Sequence, residues 1–209
     1  MPQTRLYTDA FTALDALQLL KEGNFRFING MMQHRDLLEE VTHTKDGQKP
    51  FAAIVSCMDS RTSGELVFDQ GLGDIFSIRI AGNVVTSYVI GSLEYAVAVA
   101  GAKLIVVMGH TNCGAIRGAC DHVELGMLTR LLGHIQPAVE MAQTCVDGRH
   151  DGSNPEFVEA VTIFNIQNAM EQIEARSEII ARHVAEGKAK IVPAMYDVTT
   201  GQVKWLSES

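Results

Sequence analysis

Three residues with the chemistry of metal ligands stand at two places in the chain. Cys57 lies in CMDSR (57–61), and His110 and Cys113 lie three residues apart in MGHTNCGAI (108–116). Each follows an unbroken apolar run, FAAIVSC (51–57) or KLIVVMGH (103–110). A His-x-x-Cys pair alone cannot hold a metal. With Cys57 added, two thiolates and one imidazole are available, a set that zinc accepts in tetrahedral geometry. A structural zinc site closes with a fourth Cys or His, whereas the nearest further group here is Asp59. Three strong ligands and an optional carboxylate leave room for water, which is the pattern of a catalytic zinc. One cysteine at a strand end is more often a small core residue. Two ligand-bearing motifs that each close a buried run favour metal.

These residues meet only if the elements that carry them are neighbours. Phe11, Leu14, Leu17 and Leu20 recur at helical spacing and predict an amphipathic helix over about residues 9–30. The polar stretch 34–50 reads as a loop around a short helix. Runs 51–57, 74–82 and 103–110 read as strands, and 87–101 as a helix stopped by a glycine. Residues 124–143 read as a helix bent or broken near Pro137, 144–157 as a loop, and the chain to about Glu186 as helical. The stretch 190–207 reads as a strand, a Thr-Gly turn and a partner strand. This alternation predicts one α/β domain, a mostly parallel central sheet flanked by helices with an antiparallel edge strand. Ligands of such sheets bind beyond the carboxyl ends of the strands. Cys57 and His110 end two of those strands.

The 209 residues suit a single domain with a sizeable core, and 46% apolar with 20% charged residues is ordinary for a globular protein. A net charge of −8 argues against nucleic acid or an anionic membrane as partner. No apolar run reaches the length of a membrane span. The opening MPQTRLYTDAFTALDALQLL lacks the features of a signal peptide, so a cytoplasmic location is expected. Four cysteines then suggest metal, catalysis or packing rather than disulfides.

CMDSR with GHTNCGAI resembles the metal-binding signature of the β-class carbonic anhydrases. ELVFDQGLGDIFSIRIAGNVV, GSLEYAVAVAGAKLIVVMGH and IVPAMYDVTTGQVKWL resemble the same family, so the likeness runs from about Ala13 to Leu206. It is weakest around 144–157. TSGEL after Arg61 departs from many relatives, which carry a proline there. The resemblance implies Zn²⁺ on Cys57, His110 and Cys113, and reversible hydration of CO₂ to bicarbonate and a proton by attack of zinc-bound hydroxide. It assigns Asp59 and Arg61 as a dyad. A permanently cationic Arg61 can hold Asp59 through a bidentate contact and keep it off the metal, to which Asp59 would bind only in a closed, inactive form. Gln48 is implied to supply an amide to the pocket, and the Gly114 N–H is implied as a second donor. Phe76, Ala81 and Tyr95 match positions of the apolar pocket and come in part from a neighbouring subunit, although each would serve equally as core. A homodimer or homotetramer is implied, with the N-terminal helix on a partner subunit.

Some relatives are switched off at lower pH by bicarbonate in a pocket that includes a Trp and a Gly before the first zinc cysteine. Ile54 and Ser56 occupy those positions, beside an Arg79 that resembles the pocket's arginine, which implies an ungated enzyme. Cys120 and Cys145 receive no role, and His122 reads as a surface residue with proton shuttling as the alternative. The competing readings are a carbonyl sulfide or carbon disulfide hydrolase on the same site, or a non-enzymatic zinc-stabilised module with Asp59 as fourth ligand. DQGLGDIF carries only Gly-x-Gly ahead of a strand, which is not a phosphate cradle.

Overall fold

A computed structural model describes residues 11–206. Its centre is a five-stranded sheet in the order β2-β1-β3-β4-β5. The strands are β1 (Ala52–Ser56), β2 (Ile75–Arg79), β3 (Leu104–His110), β4 (Lys190–Tyr196) and β5 (Val203–Trp205). All pairs are parallel except β4 with β5, the expected antiparallel edge. β1 and β3 are buried along their whole length, as strands covered on both faces must be. This accounts for their unbroken apolar sequences.

One face, carrying Ala53, Val55, Ile105 and Val107, packs on α4 (Ser87–Glu94), α8 (Pro155–Arg176) and α9 (Glu178–Ala185) through Leu93, Ile166, Ile173 and Ile180. The other, carrying Ile54, Leu104, Val106 and Met108, packs on α1 (Ala13–Ile28) and on Phe68, just past the short α3 (Gly64–Val67). A third cluster caps the carboxyl edge of the sheet. It joins Cys57 and Cys113 to Ile116 of α5 (Gly114–Cys120), Leu132 of α6 (Gly126–Leu132), Val139 of α7 (Gln136–Gln143) and Val161 of α8. The remaining helix, α2 (Leu37–Thr44), lies within the polar stretch expected to hold one.

Several boundaries differ from the sequence reading. Thr12 caps α1 in a reciprocal box with Asp15, so Phe11 stands outside the helix, edge-on to Phe51. Leu14 is 63% exposed, whereas Leu17 and Leu20 are buried. Residues 9, 10 and 207 of the predicted elements lie outside the described residues. The helix predicted over 87–101 loosens into a π turn at Tyr95–Val99. The 124–143 stretch breaks between Leu132 and Gln136, and Pro137 falls in the first turn of α7, where its missing N–H costs nothing. Ser177 divides the last helical stretch and caps α9. The short α3 and α5 carry too few residues to show a period. Among the described residues no helix is long and apolar enough to cross a membrane.

Candidate metal centre and active site

Strand register decides what meets at the carboxyl edge. Ser56 pairs with Met108, which sets Cys57, one residue further on, beside the end of β3. His110 is the last residue of β3, and Cys113 is the residue before α5. The Cys57 and Cys113 sulfurs are 3.9 Å apart. Taken with a His110 ring nitrogen, the three ligand atoms lie within 4.8 Å of one another, and all three residues are buried.

This geometry fits one metal ion. Zinc–sulfur bonds of about 2.3 Å in a tetrahedral centre hold two sulfurs about 3.8 Å apart. His110 is oriented for the task. Its Nδ1 lies 2.9 Å from the Thr111 carbonyl, and as that oxygen can only accept, Nδ1 carries the proton. Nε2 is therefore a free lone pair, buried with no hydrogen-bond partner. An orphaned imidazole nitrogen facing two sulfurs is costly unless a cation takes it up. The thiols respond to one another. The Cys57 thiol is pushed down, chiefly by the hydrogen bond it shares with Cys113, with burial opposing. The Cys113 thiol is pushed up by the same contact and by burial. The pair gives up one proton readily and keeps the second until a cation offsets the charge.

Asp59 is turned away from this centre. Arg61 grips it with Nε to Oδ1 at 2.8 Å and Nη2 to Oδ2 at 2.7 Å, and the Arg61 amide adds a third bond at 3.0 Å. The guanidinium holds the Asp59 carboxyl well below the usual carboxylate range, against partial desolvation. Asp59 is thus an ionised acceptor, restrained beside the ligands. The loop bearing it is fixed from two sides. The buried Thr62 hydroxyl reaches the Cys57 and Asp59 carbonyls at 2.8 and 2.9 Å. Arg79 donates to the carbonyls of Cys57, Met58 and Asp59. Sequence reasoning missed the Thr62 role, because a threonine after an Asp-x-Arg turn has no distinguishing pattern. It read Arg79 only as an anion contact, whereas Arg79 spends donors on the ligand loop.

The other expected site residues are distributed unevenly. Gly114 opens α5 directly after Cys113, so its amide is a first-turn donor with no intrahelical acceptor. Ala81 is half-buried and adjoins Gly82, whose N–H lies 3.4 Å from the Cys57 sulfur. Phe76 and Tyr95 pack edge to face with ring centres 6.1 Å apart. They line an open cavity of about 550 Å³ with Ile78 and Tyr88, and no metal-ligand candidate borders it. Gln48 is exposed ahead of β1, beside Gly73, at the amino end of the sheet. The length of β1 separates it from Cys57 by about 17 Å, at about 3.3 Å per residue. The chain does not bring Gln48 to its own ligands. Cys120 is buried, with its thiol pushed up to about 11 by desolvation, and Cys145 is exposed. His122 is exposed.

A parallel sheet with a Cys-His-Cys cluster at its carboxyl edge and a tethered carboxylate beside it defines a candidate mononuclear metalloenzyme. The carbonic anhydrase family matches residues 52–203. Carbonic anhydrase 2 of two Mycobacterium tuberculosis strains is 40% identical over 191 residues, covering 90% of this chain and 89% of that protein. The carbonic anhydrase of Mycolicibacterium smegmatis is 35% identical, covering 90% and 91%. In structure, the β-carbonic anhydrase CcaA superposes with a TM-score of 0.70 at 25% identity, covering 93% of each chain. The chain belongs to the carbonic anhydrase family, in its β class, and is a lyase by that membership.

Proposed function

We propose that this chain catalyses the zinc-dependent, reversible hydration of carbon dioxide to bicarbonate and a proton. The observation that carries the reading is the unpartnered, buried Nε2 of His110 facing two sulfurs 3.9 Å apart, with Asp59 tied to Arg61 alongside. Cys57, His110 and Cys113 would hold the metal. When bound, zinc supplies the Lewis acidity that makes water a nucleophile near neutral pH. Asp59, ionised and restrained by Arg61, would accept a hydrogen bond from the attacking water and orient it toward the substrate carbon. Arg61 would act through Asp59, since a released carboxylate could turn toward the three ligand residues. The Gly114 amide is a donor for a substrate oxygen. The Asp59–Arg61 geometry counts against a module closed by a fourth ligand.

Gln48 can serve only the site of a second copy, because its own site lies a strand length away. The working unit is therefore at least a dimer, with Phe76, Ala81 and Tyr95 contributing to apolar walls at or near the interface. Exposed Leu14, Phe25, Ile28, Leu38 and Val41 on α1 and α2 support self-association. A chain from the crystal structures of two tetrameric β-carbonic anhydrases of Sordaria macrospora shares the fold, with a TM-score of 0.67 at 23% identity. Free buried thiols are suited to a reducing compartment such as the cytoplasm. With Arg79 engaged on the ligand loop and Ile54 offering no donor, we assign the ungated type.

The test is Asp59→Ala, with zinc and CO₂ hydration measured on one sample. Zinc is retained and most activity is lost. Release of zinc would make Asp59 an essential ligand and support the structural module.

A further inference from the structure

One buried asparagine outside the ligand motifs is wired to the metal centre. Asn165 on α8 is 2% exposed, and its Nδ2 donates to the Gly82 carbonyl at 2.9 Å. Gly82 is the middle residue of the turn Ala81–Asn83, at φ 63 and ψ 20. Its own N–H faces the Cys57 sulfur at 3.4 Å. Glycine has no Cβ to bias its torsions, so this left-handed conformation must be held by its surroundings. A Cβ at Gly82 would lie 2.8 Å from Ile135 Cδ1 and be strained at this φ, so a larger residue there would crowd the buried Ile135. The adjoining turns of α8 brace the other half of the site. A Cβ on Gly109, which precedes His110, would lie 2.7 Å from Ile166 Cδ1 and 3.0 Å from Thr162 Cγ2. One helix therefore backs both β3 and the Ala81–Asn83 turn.

We infer that Asn165 is a positioning residue of the metal centre: through the Gly82 carbonyl it aims the Gly82 N–H at the Cys57 sulfur. This rests on Cys57 being a metal ligand. An N–H···S bond draws charge from a thiolate, and outer contacts of this kind orient a ligand and tune how strongly it donates. Without Asn165 the Gly82 amide swings from the sulfur, and Cys57 is held less firmly and donates differently.

The test uses full-length Asn165→Leu, near in volume and lacking the donor, with Asn168→Ala as control. Asn168 lies on the same helix, where its carbonyl accepts from Gln172. Two readouts go beyond activity, zinc loss to a chelator and the thiolate-to-metal charge-transfer band of the cobalt(II) form. Asn165→Leu loses zinc about 10-fold faster and shifts the band, and Asn168→Ala does neither. A folded Asn165→Leu with the wild-type release rate and band overturns the inference. Absence of the charge-transfer band from wild-type protein overturns the ligand assignment itself. Should Asn165→Leu fail to fold, the decision passes to NMR of metal-loaded wild-type protein. There a Gly82 amide shifted downfield and protected from exchange upholds the N–H···S bond, and an unshifted, freely exchanging one rejects it.

Discussion

Thr62→Val separates the positioning of Asp59 from its chemistry. Valine keeps the shape of threonine and removes only the hydroxyl, whose single proton is shared between the Cys57 and Asp59 carbonyls. Neither carbonyl is left alone by the change. Cys57 still accepts from Arg79, and Asp59 still accepts from Arg79 and from the Thr62 amide. The cost is therefore that of one lost hydrogen bond, about 1 kcal/mol, rather than the larger penalty of an orphaned buried carbonyl. For a chain of this length that lowers the melting temperature by about 2–4 °C. Activity should suffer more than stability, because the loosened loop carries both a proposed metal ligand and the carboxylate proposed to orient water. We expect kcat/KM for CO₂ hydration to fall about 10-fold, the lower end for lost outer contacts of a metal site. Thr62→Ser keeps the hydroxyl and should restore most of the rate. Stopped-flow hydration and thermal melts on zinc-matched samples provide both values. A Thr62→Val protein that melts a few degrees lower yet turns over like wild type would refute the positioning role.

Other consequences are equally open to measurement. Gly23→Ala should cost about 3 kcal/mol by denaturant titration, at the upper end for overpacking, since its Cβ would sit 1.7 Å from the Phe68 carbonyl oxygen. An unchanged midpoint would show that α1 is not docked as described. In native protein an alkylating reagent should label exposed Cys145 and spare Cys120, whose buried thiol is pushed up to about 11. Equal labelling would contradict that burial. The pH–rate profile, corrected for product inhibition, should follow a single proton and leave measurable activity near pH 7. A cooperative collapse below about pH 8, deepened by bicarbonate, would place the enzyme among the gated relatives.

The layered fold was legible because buried parallel strands write themselves as unbroken apolar runs, as in FAAIVSC and KLIVVMGH. The candidate ligand cluster was legible because Cys57 and His110 each close such a run, and strand order then has only to make β1 and β3 neighbours, which it does. What supports them was hidden. Asn165 lies 108 residues beyond Cys57 and acts through a glycine carbonyl, so no local spacing announces it. Gln48 stands nine residues before Cys57 in sequence, but a strand runs between them, and closeness in sequence became distance in space. The exposed apolar residues of α1 and α2 blurred the N-terminal helix in the same way. Leu14 obeys the helical period yet faces away from its own core.

Zinc content and stopped-flow CO₂ hydration, measured together on wild type and Cys113→Ala, decide whether Cys57, His110 and Cys113 hold a catalytic metal. Wild type should carry about one zinc per chain and hydrate CO₂ rapidly, and Cys113→Ala should lose both. Full zinc occupancy in Cys113→Ala, or undiminished hydration by metal-free protein, would contradict that assignment.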